Sequence, residues 1–279
     1  MRQRAHATAT FRRGFTMVEL LVVIGIIVLL VALIFIVGQP LRQTSLRTKC
    51  SVHERSIALA CQTYSGSNNG RYVSPRTDTL APSGGMGTVP HAWVNCTQSA
   101  GTLINNVEQK GSLEKGKLWP YVDMSYESYR SPLDPTNRVR SYSLSSFVGV
   151  GGIDPNPSSN LCDDLYPSYG KKSMSATMVP QPAATMMVIS EEDAPGYNRH
   201  GWVLECKVPF VYKWVDLPSF WDGNRVNIAM MDGSTKSLEI LSPKLIKAMQ
   251  SFGNEYVEPA PAPAYRVMRQ FMLPGKIDF

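Results

Sequence analysis

Several catalytic signatures are missing from this chain. There is no nucleophile elbow, no phosphate loop and no dinucleotide-binding glycine pattern in its 279 residues. The five cysteines include no Cys-x-x-Cys pair, the tight spacing that marks many structural zinc sites. Paired carboxylates are too common in proteins to argue for hydrolysis. No internal repeat is visible. These absences lead to the expectation of a protein that is not an enzyme and carries no cofactor. A formal charge of +6 gives little support for nucleic-acid binding, because four arginines sit in the first fourteen residues with no acid among them. The remaining 24 basic and 22 acidic residues nearly balance.

Charge is also missing from Leu20 to Val37, eighteen residues with one glycine. As a helix the run would extend about 27 Å, close to the ~30 Å hydrocarbon core of a bilayer. A buried core helix of this length would ordinarily keep a polar face. A cleaved secretory signal would have a shorter apolar region, about 7–15 residues, and a small-residue cleavage site, which "IFIVGQPLRQ" does not offer. A retained membrane helix is the reading that length favours. Arg2, Arg4, Arg12 and Arg13 precede the run, and Arg42, Arg47 and Lys49 follow it. The slight excess on the N-terminal side places the N-terminus in the cytoplasm under the positive-inside rule.

Glu19 stands at the lip of this run. A helix N-terminus would stabilise it there through its dipole. Together "RRG" and "FTMVEL" resemble the leader of type IV prepilins and pseudopilins. The resemblance implies cleavage after Gly14 by a prepilin peptidase that also methylates the new amine of Phe15. It places Glu19 fifth in the mature chain. Cleavage would remove the four arginines and leave an ammonium on Phe15, four residues from the Glu19 carboxylate and on the same helix face. In a lipid-depleted filament core, the amine of one subunit can meet the carboxylate of the next, and pairing offsets the desolvation of both charges. Glu19 is thus the expected assembly residue.

Beyond the run, Cys50, His53, Ile57, Cys61 and Tyr64 recur at helical spacing, and "SGSNNG" supplies a stop. One helix is expected from about Phe15 to about Tyr64, with a possible kink at Gln39-Pro40. Tyr142 and Leu144 alternate as a strand, and 185–189 reads as a buried strand. In "RVNIAMMDGSTKSLEI", Val226, Ile228 and Met230 alternate into a two-residue Asp232-Gly233 turn, a β-hairpin. Ser242-Pro243 starts a short helix ending near Phe252. "EPAPAPAY" reads as an extended proline-rich spacer before a tail that is either a docked helix or an interaction segment.

The expected organisation is a leader at 1–14, a transmembrane helix at 15–38, its amphipathic continuation at 39–66, an extracytoplasmic α+β domain at 67–252, and the spacer and tail at 253–279. The fold class is α+β, a long N-terminal helix packed on an antiparallel sheet with loop insertions, similar to pilins.

A second resemblance is to prepilin-like proteins that carry histidine, nine residues and then Asp-Gly. Asp232-Gly233 supplies the Asp-Gly, and Asp222 stands where those proteins have histidine. Gly223 and Asn227 match the glycine and asparagine that usually follow. "SPLDP", Ser131 to Pro135, resembles a Cys-Pro-x-Asp element with Ser131 replacing cysteine. The two replacements prevent any role of that histidine or cysteine from being carried over.

The cysteines lie at 50, 61, 96, 162 and 206. An odd count leaves one unpaired within a monomer. Eleven helical residues separate Cys50 from Cys61 by ~16 Å, too far for a bridge. Cys96, Cys162 and Cys206 can pair in an oxidising compartment, or all five can be buried thiols. A zinc set of His91, Cys96, Cys162, His200 and Cys206 has suitable ligand types without suitable spacing. Glu191, Glu192, Asp193, Asp222 and Asp232 can gather at one sheet edge; Asp222 and Asp232 are weak candidates for calcium, and ordinary turn acids are the plainer account. Trp214, Phe220 and Trp221 are read as packing residues.

The function these features favour is a filament subunit of a type II secretion or type IV pilus-like machine. Its expected partners are the prepilin peptidase and methyltransferase, other pilin-like subunits, the inner-membrane assembly platform and the lipid bilayer, with no nucleic acid. It would cross the inner membrane once, with the soluble domain in the periplasm. The rival is an extracytoplasmic enzyme or binding protein for which the helix is a plain anchor.

Overall fold

A computed structural model of the chain describes residues 14–75, 77, 91–95, 103–104, 107–108, 110–146, 179, 181–192, 201–205, 212–252 and 256–272, without the side chains of 34–40, 103, 104, 107, 108 and 252. The arginine-rich leader before Gly14 lies outside the described residues, as do Cys96, Cys162, Cys206, Asp193 and His200. The chain divides into two compact units, Met1–Ser45 and Leu46–Phe279.

Helix α1 runs from Met17 to Ser67. Its start is a capping box. Thr16 is the N-cap and Glu19 the third helical residue, each using its side chain to satisfy a backbone N–H of the other. Its end follows the expected stop. Asn69 and Gly70 adopt left-handed φ values of 55° and 77°, and the Gly70 N–H returns to the Ser65 carbonyl at 2.9 Å. In the first unit, the large apolar side chains from Leu20 to Leu33 are 44–67% exposed. Among the described residues no helix is long and apolar enough to cross a membrane. The apolar run with described side chains, Leu20 to Leu33, is shorter than the ~20 residues a span needs.

The second unit is built on an antiparallel sheet. Its strands are β3 (Tyr142–Leu144), β4 (Met186–Glu192), β7 (Arg225–Met230) and β8 (Thr235–Glu239), side by side in that order. The short β6 (Leu217–Pro218) extends the far end of β4, pairing with Glu191 and Glu192. Two small ladders lie apart from it: β1 (Leu103–Ile104) with β2 (Val107–Glu108), and β5 (Lys213–Trp214) with β9 (Tyr256–Val257). A short helix α2 (Lys110–Glu114) precedes a 3₁₀ turn at Trp119–Tyr121, and α3 (Pro243–Phe252) follows β8.

Side-chain alternation distributes the sheet between two cores. Ala229 and Met231 join Cys50, Ile57, Ala58, Cys61 and Tyr64 of α1 on one face. Val226, Ile228 and Met230 join Trp202, Trp214, Met249 and Tyr265 on the other. On β4 the alternation is broken. Met186 and Ile189 face the second core while Met187 and Val188 both face the first, and the register shifts between Met186 and Val188. A β-bulge accounts for this, since one extra residue lets two neighbours share a face. The sheet is therefore covered on both sides, and β4 is buried from Met186 through Glu191.

Of the two readings of the C-terminal tail, the docked helix is the one found, while the proline-rich stretch before it is not a bare spacer. β9 completes a ladder with β5, and α4 (Pro263–Met272) inserts Ala264, Tyr265, Met268 and Met272 into the second core. Glu258, itself buried, holds the start of α4. Its carboxylate accepts from the N–H groups of Ala264 (3.3 Å) and Tyr265 (3.0 Å) and from Trp214 Nε1 (3.0 Å). An anion at a helix N-terminus satisfies donors that have no intrahelical partner. The proline-rich composition was legible, but not the apolar stripe after it as one wall of a core.

Truncation after Val257 should leave Trp202 and Trp214 uncovered. The expected outcome is loss of the tryptophan near-ultraviolet circular dichroism and gain of apolar dye binding. A truncated chain that melts like the full one would show that α4 is dispensable.

Candidate functional site

Two regions carry polar chemistry. The first is the start of α1. Gly14 and Phe15 precede the helix, and Phe15 is 72% exposed. A side chain at Gly14 would meet nothing within 4 Å. The Glu19 carboxylate turns back to Thr16, accepting from its N–H and its hydroxyl, both at 2.8 Å. The Glu19 N–H donates to the same hydroxyl at 3.2 Å. Because α1 begins at Met17, Phe15 is not on a helix face with Glu19, as the four-residue spacing had suggested. The capping partner Thr16 was legible as a Thr-x-x-Glu pattern before an apolar run, and it is the residue that sequence reasoning passed over.

The second region lies in the unit beginning at Leu46, where α1 meets the sheet. Glu54 falls on the apolar stripe of the helix, between Cys50 and Ile57, and is fully buried. Its Oε1 accepts from Ser190 Oγ at 2.7 Å and from Cys50 Sγ at 3.7 Å. Its Oε2 has no hydrogen-bond partner among the described residues. Burial pushes the carboxyl up to about 8; the Ser190 and Cys50 hydrogen bonds oppose this, and the nearby Asp222 charge adds to it. The acid is therefore neutral at pH 7. Cys50 receives hydrogen bonds from Ser131 Oγ and Tyr142 Oη, each at 3.4 Å. Burial first, then the charge of Glu54, pushes its thiol up to about 12, so it is an unreactive thiol. Cys50 and Cys61 are both free and buried.

Of the acids expected to gather at one sheet edge, Glu191 and Glu192 at the end of β4 and Asp222 before β7 lie at the same end of this antiparallel pair, and Asp232 lies at the other. Glu191, at the end of β4, receives a hydrogen bond from the Ser143 hydroxyl and is buried. Glu192 is also at that end, and burial raises its carboxyl. Asp222 precedes β7, is 3% exposed, and bonds Arg47 Nε at 2.5 Å and Asn227 Nδ2 at 3.2 Å. Asp232 follows β7 in the hairpin turn, where its Oδ1 accepts from the N–H and hydroxyl of Ser234, at 2.8 and 2.6 Å. A six-residue strand, ~20 Å long, thus separates the two metal candidates Asp222 and Asp232. Among the described residues no three potential metal ligands come together. His91 instead pairs with the Tyr64 hydroxyl. The turn is one residue longer than expected. The Met230 N–H bonds the Ser234 carbonyl, leaving Met231, Asp232 and Gly233 as a three-residue loop with Gly233 at φ 82°.

Asp134, in the "SPLDP" stretch, is a structural anchor. Burial alone would raise its carboxyl, but hydrogen bonds from Ser141, Arg138 and Thr136 outweigh it and hold it below the usual value. Ser131, where the second resemblance has cysteine, lies beside Cys50. Of the aromatics, Trp214 is core, while Trp221 is half-buried beneath the Arg138 guanidinium at 4.7 Å.

Two outcomes follow from this cluster. The native state holds the Glu54 proton to about pH 8, whereas the unfolded chain releases it near 4.5. The stability it confers is complete below pH 4.5 and is lost as pH rises towards 8, an effect on the order of a few kcal/mol. Glu54→Gln should flatten that part of the stability–pH curve, measured by denaturant unfolding; an unchanged slope would exclude a protonated Glu54. Ser131→Cys should pair with Cys50 when the reduced, unfolded chain is refolded under oxidising conditions, before burial silences the thiol, detected by mass before and after reduction, because the two side-chain termini meet in the native state.

Residues 10–35 match the family model of the prokaryotic N-terminal methylation motif. No curated protein and no solved structure matches the chain. On that N-terminal motif, which runs into a long helix followed by an α+β domain, the chain resembles a type IV prepilin or pseudopilin.

Proposed function

We propose that this chain is a structural subunit of a type II secretion or type IV pilus-like filament, and that it catalyses nothing itself. The observation that carries this reading is the methylation motif at 10–35, continuous with a helix whose apolar side chains from Leu20 to Leu33 face outward. A prepilin peptidase would cut after Gly14 and methylate Phe15. Glycine there serves no packing need, since a side chain would have open space around it. A cleavage requirement is a sufficient reason for it.

Before assembly the apolar run would lie in the inner membrane, with the N-terminus cytoplasmic and the second unit periplasmic. The exposed side chains there would be solvated by lipid tails. On assembly, other pilin-like subunits would replace the lipid, driven by the inner-membrane platform. Glu19 would then exchange its capping hydrogen bonds from Thr16 for the methylated amine of a neighbour's Phe15. Both groups would otherwise be charged in an apolar bundle, which gives the exchange its direction.

The mature N-terminus decides between filament subunit and plain anchor. Mass spectrometry of the protein from cells with an active prepilin peptidase should find N-methylated Phe15. Glu19→Ala should still be cut and should fold its soluble part, yet be missing from purified filaments. An intact arginine-rich leader on working protein would overturn the proposal.

A further inference from the structure

The segment from Asp222 to Gly233 touches α1 at both ends. At one end Asp222 holds Arg47, and Asn227, one of the β7 residues on that sheet face, donates to the other Asp222 oxygen. Gly223, at φ 64°, turns the chain between Asp222 and β7. At the other end Gln62 Nε2 donates to the Met231 carbonyl. Gly233 sits so close to α1 that a Cβ there would lie 2.7 Å from Leu59 Cδ2. Asp232 shapes that loop through Ser234.

We propose that residues 222–233 form a two-ended clamp that fixes the axial register of α1 on the sheet, with the length of β7 as its ruler. The fifteen residues from Arg47 to Gln62 span ~22 Å of helix. The six residues of β7 extend ~20 Å, and the turn residues beyond each end supply the reach. Sliding the helix by one turn, ~5.4 Å, would break both anchors at once. Shortening or lengthening β7 by one residue would also turn the side chains on one side of the change, Asn227 or Ala229, to the wrong face. The interval between Asp222 and Asp232-Gly233 is therefore a distance requirement, and its polar residues are positioning groups rather than metal ligands.

The clamp lies wholly within the unit starting at Leu46, so it stands whether or not the chain assembles into filaments. Hydrogen exchange read by mass spectrometry on the full chain in detergent micelles tests it. Arg47→Ala should raise amide exchange in residues 47–51 about tenfold, while 58–64 remain protected. Asp222→Arg should do the same, and the exchanged pair Arg47→Asp with Asp222→Arg should restore most of the protection. Arg47 is 38% exposed, so its variant is expected to fold. Inserting one alanine between Ile228 and Ala229 should release one end of the clamp but not both. Unchanged exchange in Arg47→Ala, or an exchanged pair no better protected than Asp222→Arg alone, would overturn the clamp.

Discussion

One stripe of α1 carries the second unit. Cys50, Glu54, Ile57, Cys61 and Tyr64 follow one another at helical spacing, and all are buried against the sheet. The strands they meet are short, and a short strand has little stability of its own. The sheet needs the helix as a wall, and the helix needs the sheet because its amphipathic half has no other cover. β4 is the member pressed from both sides. Its bulge at Met186–Val188 assigns two consecutive residues to the helix-facing core, which a regular strand would not do.

A carboxylic acid in the middle of that stripe is costly unless it stays protonated. Burial keeps Glu54 neutral, and a neutral acid can sit beside Ser190 and Cys50 without a cation. A strong charge pair nearby, Arg47 with Asp222, is at the entrance of the helix into the unit, where the arginine keeps partial access to water. Apolar contact, neutral hydrogen bonds and this peripheral ion pair thus divide the work along one helix face. The thiols of Cys50 and Cys61 belong to the apolar part of that division.

Periodic features could be read directly. The 3-and-4 spacing gave Cys50, Ile57, Cys61 and Tyr64 of the buried helix face, though its second member is Glu54 and not the half-buried His53, and the alternation of Val226, Ile228 and Met230 gave the hairpin strand. The Ser242 cap also stands where its pattern indicated, with its hydroxyl 3.1 Å from the Leu245 N–H. Non-local features were not legible. Nothing local marks Asp222 as the partner of Arg47, 175 positions away. The tail read equally as a docked helix or an interaction segment, because the core that Tyr265, Met268 and Met272 enter is built from residues far away in the chain. The prolines lead the chain back, because β9 finds an open edge in β5 and Glu258 finds three donors. The N-terminal motif was readable for another reason: it is contiguous in sequence, and needs no fold to be recognised.

The seating of α4 has a consequence for biosynthesis. The second core is closed by a segment made after every strand of the main sheet. Until α4 is made, Trp202, Trp214 and the β7 face that carries Val226, Ile228 and Met230 have no lid, although α1 was made first. Such a domain cannot mature strand by strand as it is synthesised, and its sheet stays open on one side until α4 arrives.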